Sequence, residues 1–176
     1  FVYKSWAFAH NGTVPVFADI RPKMLEAMTG EQRAAVKGDT DSEHLFHYLM
    51  SLHEAAPARP VFDILRDGVR QVIDWCRALQ PDAPIGLNVL LTDGNEFVGT
   101  RWGRTLHYVL RRGVRDCEIC GFPHIHHDPK VDYRAAVVAS EPITHEIWSE
   151  MPEQSAFRID TDFALTVEPL GLRAAV

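Results

Sequence analysis

The chain has 176 residues, 46% of them hydrophobic, with three cysteines and a formal net charge of −6. That is material for one core of ordinary size, and its 18 Lys and Arg residues are scattered, which argues against nucleic acid as a partner. No apolar run approaches ~18 residues and no leader pattern is evident, so a non-secreted protein without a membrane partner is expected, its odd cysteine count suiting the cytoplasm.

In chain order, Val2 to His10 reads as a strand with Trp6, Phe8 and His10 on one face and Ala7 and Ala9 on the other. It runs into Asn11-Gly12, and a strand stopping there leaves an amide side chain and a backbone N–H at an exposed edge. Two such donors can face a developing negative charge, although Asn-Gly is equally a common hairpin turn. Short helices follow over about Ile20–Met28 and Glu31–Val36. Thr40 with Glu43 three residues on is a capping box, placing Asp41 in the first turn of a helix with Leu45, Leu49 and Leu52 as its stripe. His44 and His47 on that helix are expected to be partly exposed. The next helix spans about Val61 to Leu79, with Phe62, Leu65, Val69, Val72, Cys76 and Leu79 at spacings of three and four.

After Pro84 the period changes to two. Ile85, Leu87, Val89 and Leu91 alternate with their neighbours, Asp93-Gly94-Asn95 turns the chain, and Glu96–Trp102 returns it. Thr105–Leu110 and Arg134–Ser140 are further strands, Ile143–Trp148 one helical turn, and Phe157–Ile159 and Phe163–Val167 closing strands. Arg101, Arg104 and His107 are expected to be solvated. Helices collected on one side of an antiparallel sheet give an α+β layered domain. They cover one face only of strands that look apolar on both. The chain opens at Phe1 with no initiator Met, and a preceding segment is the expected source of the missing layer.

Between two of these strands, residues 111–132 form a Cys/His-rich insertion. Cys117 and Cys120 three positions apart, with His124 and His127 nearby, form a knuckle that can hold a structural Zn²⁺. A loop that is polar without binding metal is the other reading. A zinc hydrolase built on His126 and His127 is disfavoured, because no carboxylate base stands on a helix beside them.

Phe8-Ala9-His10-Asn11-Gly12-Thr13, Gly38-Asp39-Thr40-Asp41-Ser42-Glu43 and Leu87-Asn88-Val89-Leu90-Leu91-Thr92-Asp93-Gly94 resemble class II glutamine amidotransferases, in the same order. Thr100-Arg101-Trp102-Gly103-Arg104 and Val138-Ala139-Ser140-Glu141-Pro142 extend the match from Val2 to about Phe163, the Cys/His segment excepted. The chain looks most similar to the stand-alone members, a branch that includes the ergothioneine-pathway amidohydrolase. The resemblance implies an N-terminal-nucleophile hydrolase, a four-layer αββα sandwich, of which residues 1–176 form a single domain lacking its N-terminal segment. It implies cleavage of the side-chain amide of glutamine or a γ-glutamyl small molecule through a γ-glutamyl thioester, with no cofactor required for catalysis. An N-terminal Cys is the family's nucleophile, and none of Cys76, Cys117 and Cys120 is placed to be that residue, so it is expected outside this chain, as is the family's carboxylate-gripping Arg. Asn11 and Gly12 correspond to the oxyanion donors, Asp41 to the acceptor of the substrate's α-ammonium, and His10 joins the substrate-binding set, ordering the strand end with no chemistry of its own. The alternative is a non-catalytic homologue that binds or scaffolds, with the zinc knuckle as its contact. Assembly as a homo-oligomer is compatible with either.

Overall fold

A computed structural model describes residues 1–114, 121 and 132–171. Its elements run β1 (Val2–Tyr3), β2 (Trp6–Asn11), α1 (Phe17–Ala27), α2 (Gly30–Ala35), α3 (Asp41–Ala55), α4 (Val61–Leu79), β3 (Asn88–Thr92), β4 (Phe97–Arg101), β5 (His107–Arg112), β6 (Arg134–Ala139), β7 (Ser149–Glu150), β8 (Ser155–Ile159) and β9 (Leu165–Pro169). The opening strand is broken by a turn at Lys4, whose φ is +53°, so that Val2 pairs with Ala7 in a small hairpin. Trp6 and Phe8 are buried, Ala7 and Ala9 exposed, as alternation requires.

Two antiparallel sheets result, one with strand order β1-β2-β3-β4-β8-β9 and one with order β6-β5-β7. On the larger sheet Val89, Leu91 and Val98 point to one face, into the main core with α3 and α4 residues such as Phe46, Leu49, Leu65, Val69 and Val72. The intervening residues Leu90, Phe97 and Phe157 point to the other face and meet Leu106, Tyr108, Val138 and Met151 of the smaller sheet and its flanks. Gly99 makes that second contact close, because a Cβ there would fall 2.4 Å from Phe157 Cζ.

The expected α+β class is thus present as a stack of helices, sheet and sheet. The second face of the large sheet, for which the sequence suggested a preceding segment, meets the β5–β7 sheet and its flanks within this chain. A strand that changes sheets keeps the same two-residue alternation, so nothing in the pattern of β5 marks the switch.

The strongest periodicity gives α4 over Val61–Leu79, with Cys76 fully buried on its stripe. α3 departs from its expected one-sided stripe. It is enclosed by α1, α2, α4 and β2, and every residue from Glu43 to Ser51 is buried. His44 and His47 are therefore 0% and 5% exposed, not partly solvated. Each is satisfied: His44 Nδ1 bonds Thr40 O at 2.9 Å and His44 Nε2 accepts from Arg21 Nε at 3.0 Å, while His47 Nδ1 meets Gln32 Oε1 at 2.7 Å. Residues 143–148 are irregular, with a bend at 144–146, where one helical turn was expected. Side chains hold them: Arg111 grips Glu146 through Nε and Nη2, Thr144 donates to Glu146 at 2.8 Å, and Trp148 Nε1 donates to Thr144 at 3.0 Å.

Candidate active site

Asn11 is the last residue of β2, paired with Asn88 of β3, and is exposed. The chain then turns over the segment leading into β3. Thr13 N donates to Gly86 O at 3.0 Å and Gly86 N donates to Thr13 O at 2.9 Å, a two-way backbone clasp. Glycine is needed on both sides of it. A Cβ on Gly12 would fall 2.1 Å from Gly86 O, and one on Gly86 would fall 2.9 Å from Gly12 Cα. These are backbone contacts that no rotamer change can relieve.

Asp41 arrives from the helix layer. Thr40 caps α3, its side chain accepting from Glu43 N at 3.3 Å, and this places Asp41 in the first turn, where the helix dipole favours a carboxylate. Asp41 Oδ2 accepts from Val14 N at 2.8 Å, and Oδ1 accepts from Ser42 N at 2.7 Å. A carboxylate has about four lone-pair sites, so capacity remains for a further cationic donor. The strand end at Asn11-Gly12 and the N-terminus of α3 are thereby one unit, joined through residue 14.

His10 lies beside them with both ring nitrogens occupied: Nδ1 meets Ser42 Oγ at 2.8 Å and Nε2 meets Gly86 O at 3.0 Å. Asn88 is a structural participant that periodicity did not single out. Buried to 3% exposure, it donates from Nδ2 to Arg104 O and Thr105 O at 3.2 and 2.9 Å, and accepts from Trp102 N at 2.9 Å. It ties the turn after β4 to the same end of the sheet. An amide inside the apolar run from Ile85 to Leu91 is the signal that could have found it. Arg104 is exposed, as expected, its stem near Gly86. Arg101, by contrast, is buried. Its guanidinium donates to the carbonyls of Arg104 and Met151 and pairs with Glu150 at 2.7 Å and Glu153 at 3.1 Å. That position is structural, because a buried guanidinium must satisfy its donors inside the fold.

Cys117, Cys120, His124 and His127, together with His126, lie outside the described residues. Among the described residues, no group of three or more His, Cys, Asp or Glu side chains could hold a metal ion. No described helix is long and apolar enough to cross a membrane.

A helix layer on a six-stranded sheet, backed by a second sheet, with Asn-Gly at a strand end and an acid at a facing helix N-terminus, defines an α+β layered domain. The family model for class-II glutamine amidotransferases matches residues 1–161, and the chain belongs to that family. It is 28% identical to the probable glutamine amidotransferase DUG3 of Saccharomyces cerevisiae, over 90% of this chain and 51% of that protein. It therefore spans about half the length of this curated relative. Among solved structures, a glutamine aminotransferase class-II domain protein from Silicibacter pomeroyi superposes with a TM-score of 0.70 at 22% identity, covering 99% of this chain and 71% of that one. The glutamine phosphoribosylpyrophosphate amidotransferase of B. subtilis superposes with a TM-score of 0.58 at 16% identity, covering 98% of this chain and 31% of that one. These likenesses establish the Ntn-hydrolase type of fold.

Glu43 fastens the approach to Asp41. Its carboxylate accepts from Lys37 N at 3.0 Å and Gly38 N at 2.7 Å instead of closing the capping box on Thr40. Burial pushes its pKa up, but the two backbone N–H groups, with His47 and His44 adding, outweigh burial and hold it below the ordinary Glu value. A carboxyl with a depressed folded pKa adds stability above its unfolded value of about 4.3 and loses it as the pH falls through the folded value. Glu43→Gln should therefore unfold at lower urea than wild type at pH ~7, with the gap narrowing on acidification below pH ~4. A gap unchanged over that range would contradict this origin.

Proposed function

We propose that this chain supplies the oxyanion donors and the ammonium-binding acid of an amidohydrolase acting on the side-chain amide of glutamine or a γ-glutamyl compound. The observation that carries the reading is the Val14–Asp41 hydrogen bond of 2.8 Å, which fixes the acid two residues beyond Gly12. Substrate ammonium and reacting carbonyl are separated by a few bonds, so their protein partners must be near one another.

In this reading the nucleophile is an N-terminal cysteine thiolate outside this chain. Cys76 is unsuited to the task, being fully buried with its thiol pKa pushed up to about 11 by that burial. The thiolate attacks the side-chain carbonyl carbon, and the oxygen takes the negative charge. Asn11 Nδ2 and Gly12 N–H donate to that oxygen, while Asp41 accepts from the α-ammonium and sets the carbonyl's position. Collapse of the tetrahedral species breaks the C–N bond. The α-amine of the cysteine, holding the proton taken from the thiol, delivers it to the amide nitrogen, which leaves as ammonia, and the γ-glutamyl thioester remains. Water, deprotonated by the same amine, attacks the thioester and releases the γ-carboxylate. Water as acceptor, a cytoplasmic setting and a small-molecule substrate complete the proposal.

The test is ammonia release by the full-length protein from glutamine and γ-glutamyl amides, with labelling of the cysteine by a glutamine-like diazo-ketone. Asn11→Ala should lower kcat by about 10²–10³-fold, as removal of one oxyanion donor does elsewhere. Asp41→Asn should act mainly on KM. A full-length sequence without a cysteine after its initiator Met, or a protein that neither releases ammonia nor takes the label, would instead support a non-catalytic binding module.

We further propose that Cys117, Cys120, His124 and His127 hold a structural zinc, a closed set of four ligands that leaves no open position for catalysis. Metal analysis of the purified protein should then give close to one zinc per chain, removable by chelator without loss of Asn11-dependent chemistry. Absence of zinc would end this part of the proposal.

A further inference from the structure

His10 and Ser42 complete a closed circuit of hydrogen bonds around the candidate oxyanion loop. Starting from Asp41, Oδ2 accepts from Val14 N at 2.8 Å, and the peptide leads back to Thr13, which is clasped to Gly86 by bonds of 3.0 and 2.9 Å. Gly86 O also meets His10 Nε2 at 3.0 Å, His10 Nδ1 meets Ser42 Oγ at 2.8 Å, and Ser42 N returns to Asp41 Oδ1 at 2.7 Å. Asn11 and Gly12 lie on the chain between two members of this ring, His10 and Thr13.

The chemistry of the partners fixes the donors. A carbonyl oxygen only accepts, so Nε2 carries a hydrogen and donates to Gly86 O. In the neutral ring Nδ1 is then a lone pair, and it accepts the Ser42 hydroxyl hydrogen. Ser42 Oγ also stands 3.2 Å from Asp41 Oδ1, but its single hydrogen can serve only one acceptor at a time. With that hydrogen committed to His10, Asp41 keeps only the donors at Val14 N and Ser42 N, leaving lone pairs open toward the site.

We propose that His10 is a positioning residue for this site, bracing Gly86 against Ser42 so that the Asn11-Gly12 donors and the Asp41 carboxylate hold one fixed separation. The inference rests on the site assignment given under the proposed function and adds the part that keeps the two halves in register. Both polar atoms of His10 are used within the fold, so its bracing acts through Gly86 on one side and Ser42 on the other. The ring bridges segments 32 residues apart at Ser42 and 76 residues apart at Gly86, which no local turn could hold together.

Nitrogen-15 NMR of the full-length protein tests the arrangement directly. In its neutral form the His10 side chain should show a protonated Nε2 and a non-protonated, hydrogen-bonded Nδ1. Ser42→Ala should shift the amides of Gly12, Thr13, Val14 and Gly86, across the ring from the substitution, and Ser42→Thr, which keeps the hydroxyl, should return them. In the amidase assay Ser42→Ala should raise KM about tenfold, the size of one net hydrogen bond, with a smaller change in kcat. The opposite tautomer, or amide shifts confined to residues 41–43, would overturn the proposal. The spectra do not depend on turnover. Long-range shifts in a protein that releases no ammonia would uphold the strut and reject the amidohydrolase reading. Turnover with the shifts confined to residues 41–43 would do the reverse.

Discussion

The contact on which the rest depends is the backbone clasp between Thr13 and Gly86, made with bonds of 3.0 and 2.9 Å. It is possible only because two glycines meet there: a Cβ at Gly12 would lie 2.1 Å from the Gly86 carbonyl oxygen. The clasp stops β2 from continuing as an ordinary hairpin and turns Asn11-Gly12 out at the end of the sheet. From it follow the placement of Val14 on Asp41 and of His10 on Gly86. Buried backbone groups must be paired, and pairing them here also shapes a site.

The layers serve that end of the molecule. α3 is packed on all sides, so its N-terminus, and Asp41 with it, cannot drift relative to β2. The large sheet is held from behind by Leu106 and Met151, which pack on its Phe157, and Arg101 fastens the turn after β4 to the carbonyl of Met151. Sites that bind a small polar substrate need such rigid support, because a loosely held donor is displaced before it can stabilise charge.

How much of this was legible in the sequence divides along a physical line. What depends on neighbours within a few residues could be read: the α4 stripe, the Thr40 cap, the Asp93-Gly94-Asn95 turn, the inward side of β2. What depends on distant partners could not. The burial of His47 requires Gln32 on another helix, and the burial of Arg101 requires the carbonyl of Met151 and the acids on either side of it, Glu150 and Glu153. β5 carries the same alternation whether it extends the first sheet or founds a second. For the site, the motifs around Asn11 and Asp41 named the two ends, but their joining through Val14 and the His10–Ser42 contact are tertiary facts. Their role in catalysis is this account's proposal.

The most direct measurement is a crystal structure of the full-length protein with glutamate, the hydrolysis product of glutamine, bound. The account predicts a γ-carboxylate oxygen within hydrogen-bond reach of Asn11 Nδ2 and the Gly12 N–H, and the α-ammonium on Asp41 Oδ2 while Val14 N keeps its bond to that oxygen. Glutamate bound away from the strand end, or with its ammonium on an acid other than Asp41, would contradict it.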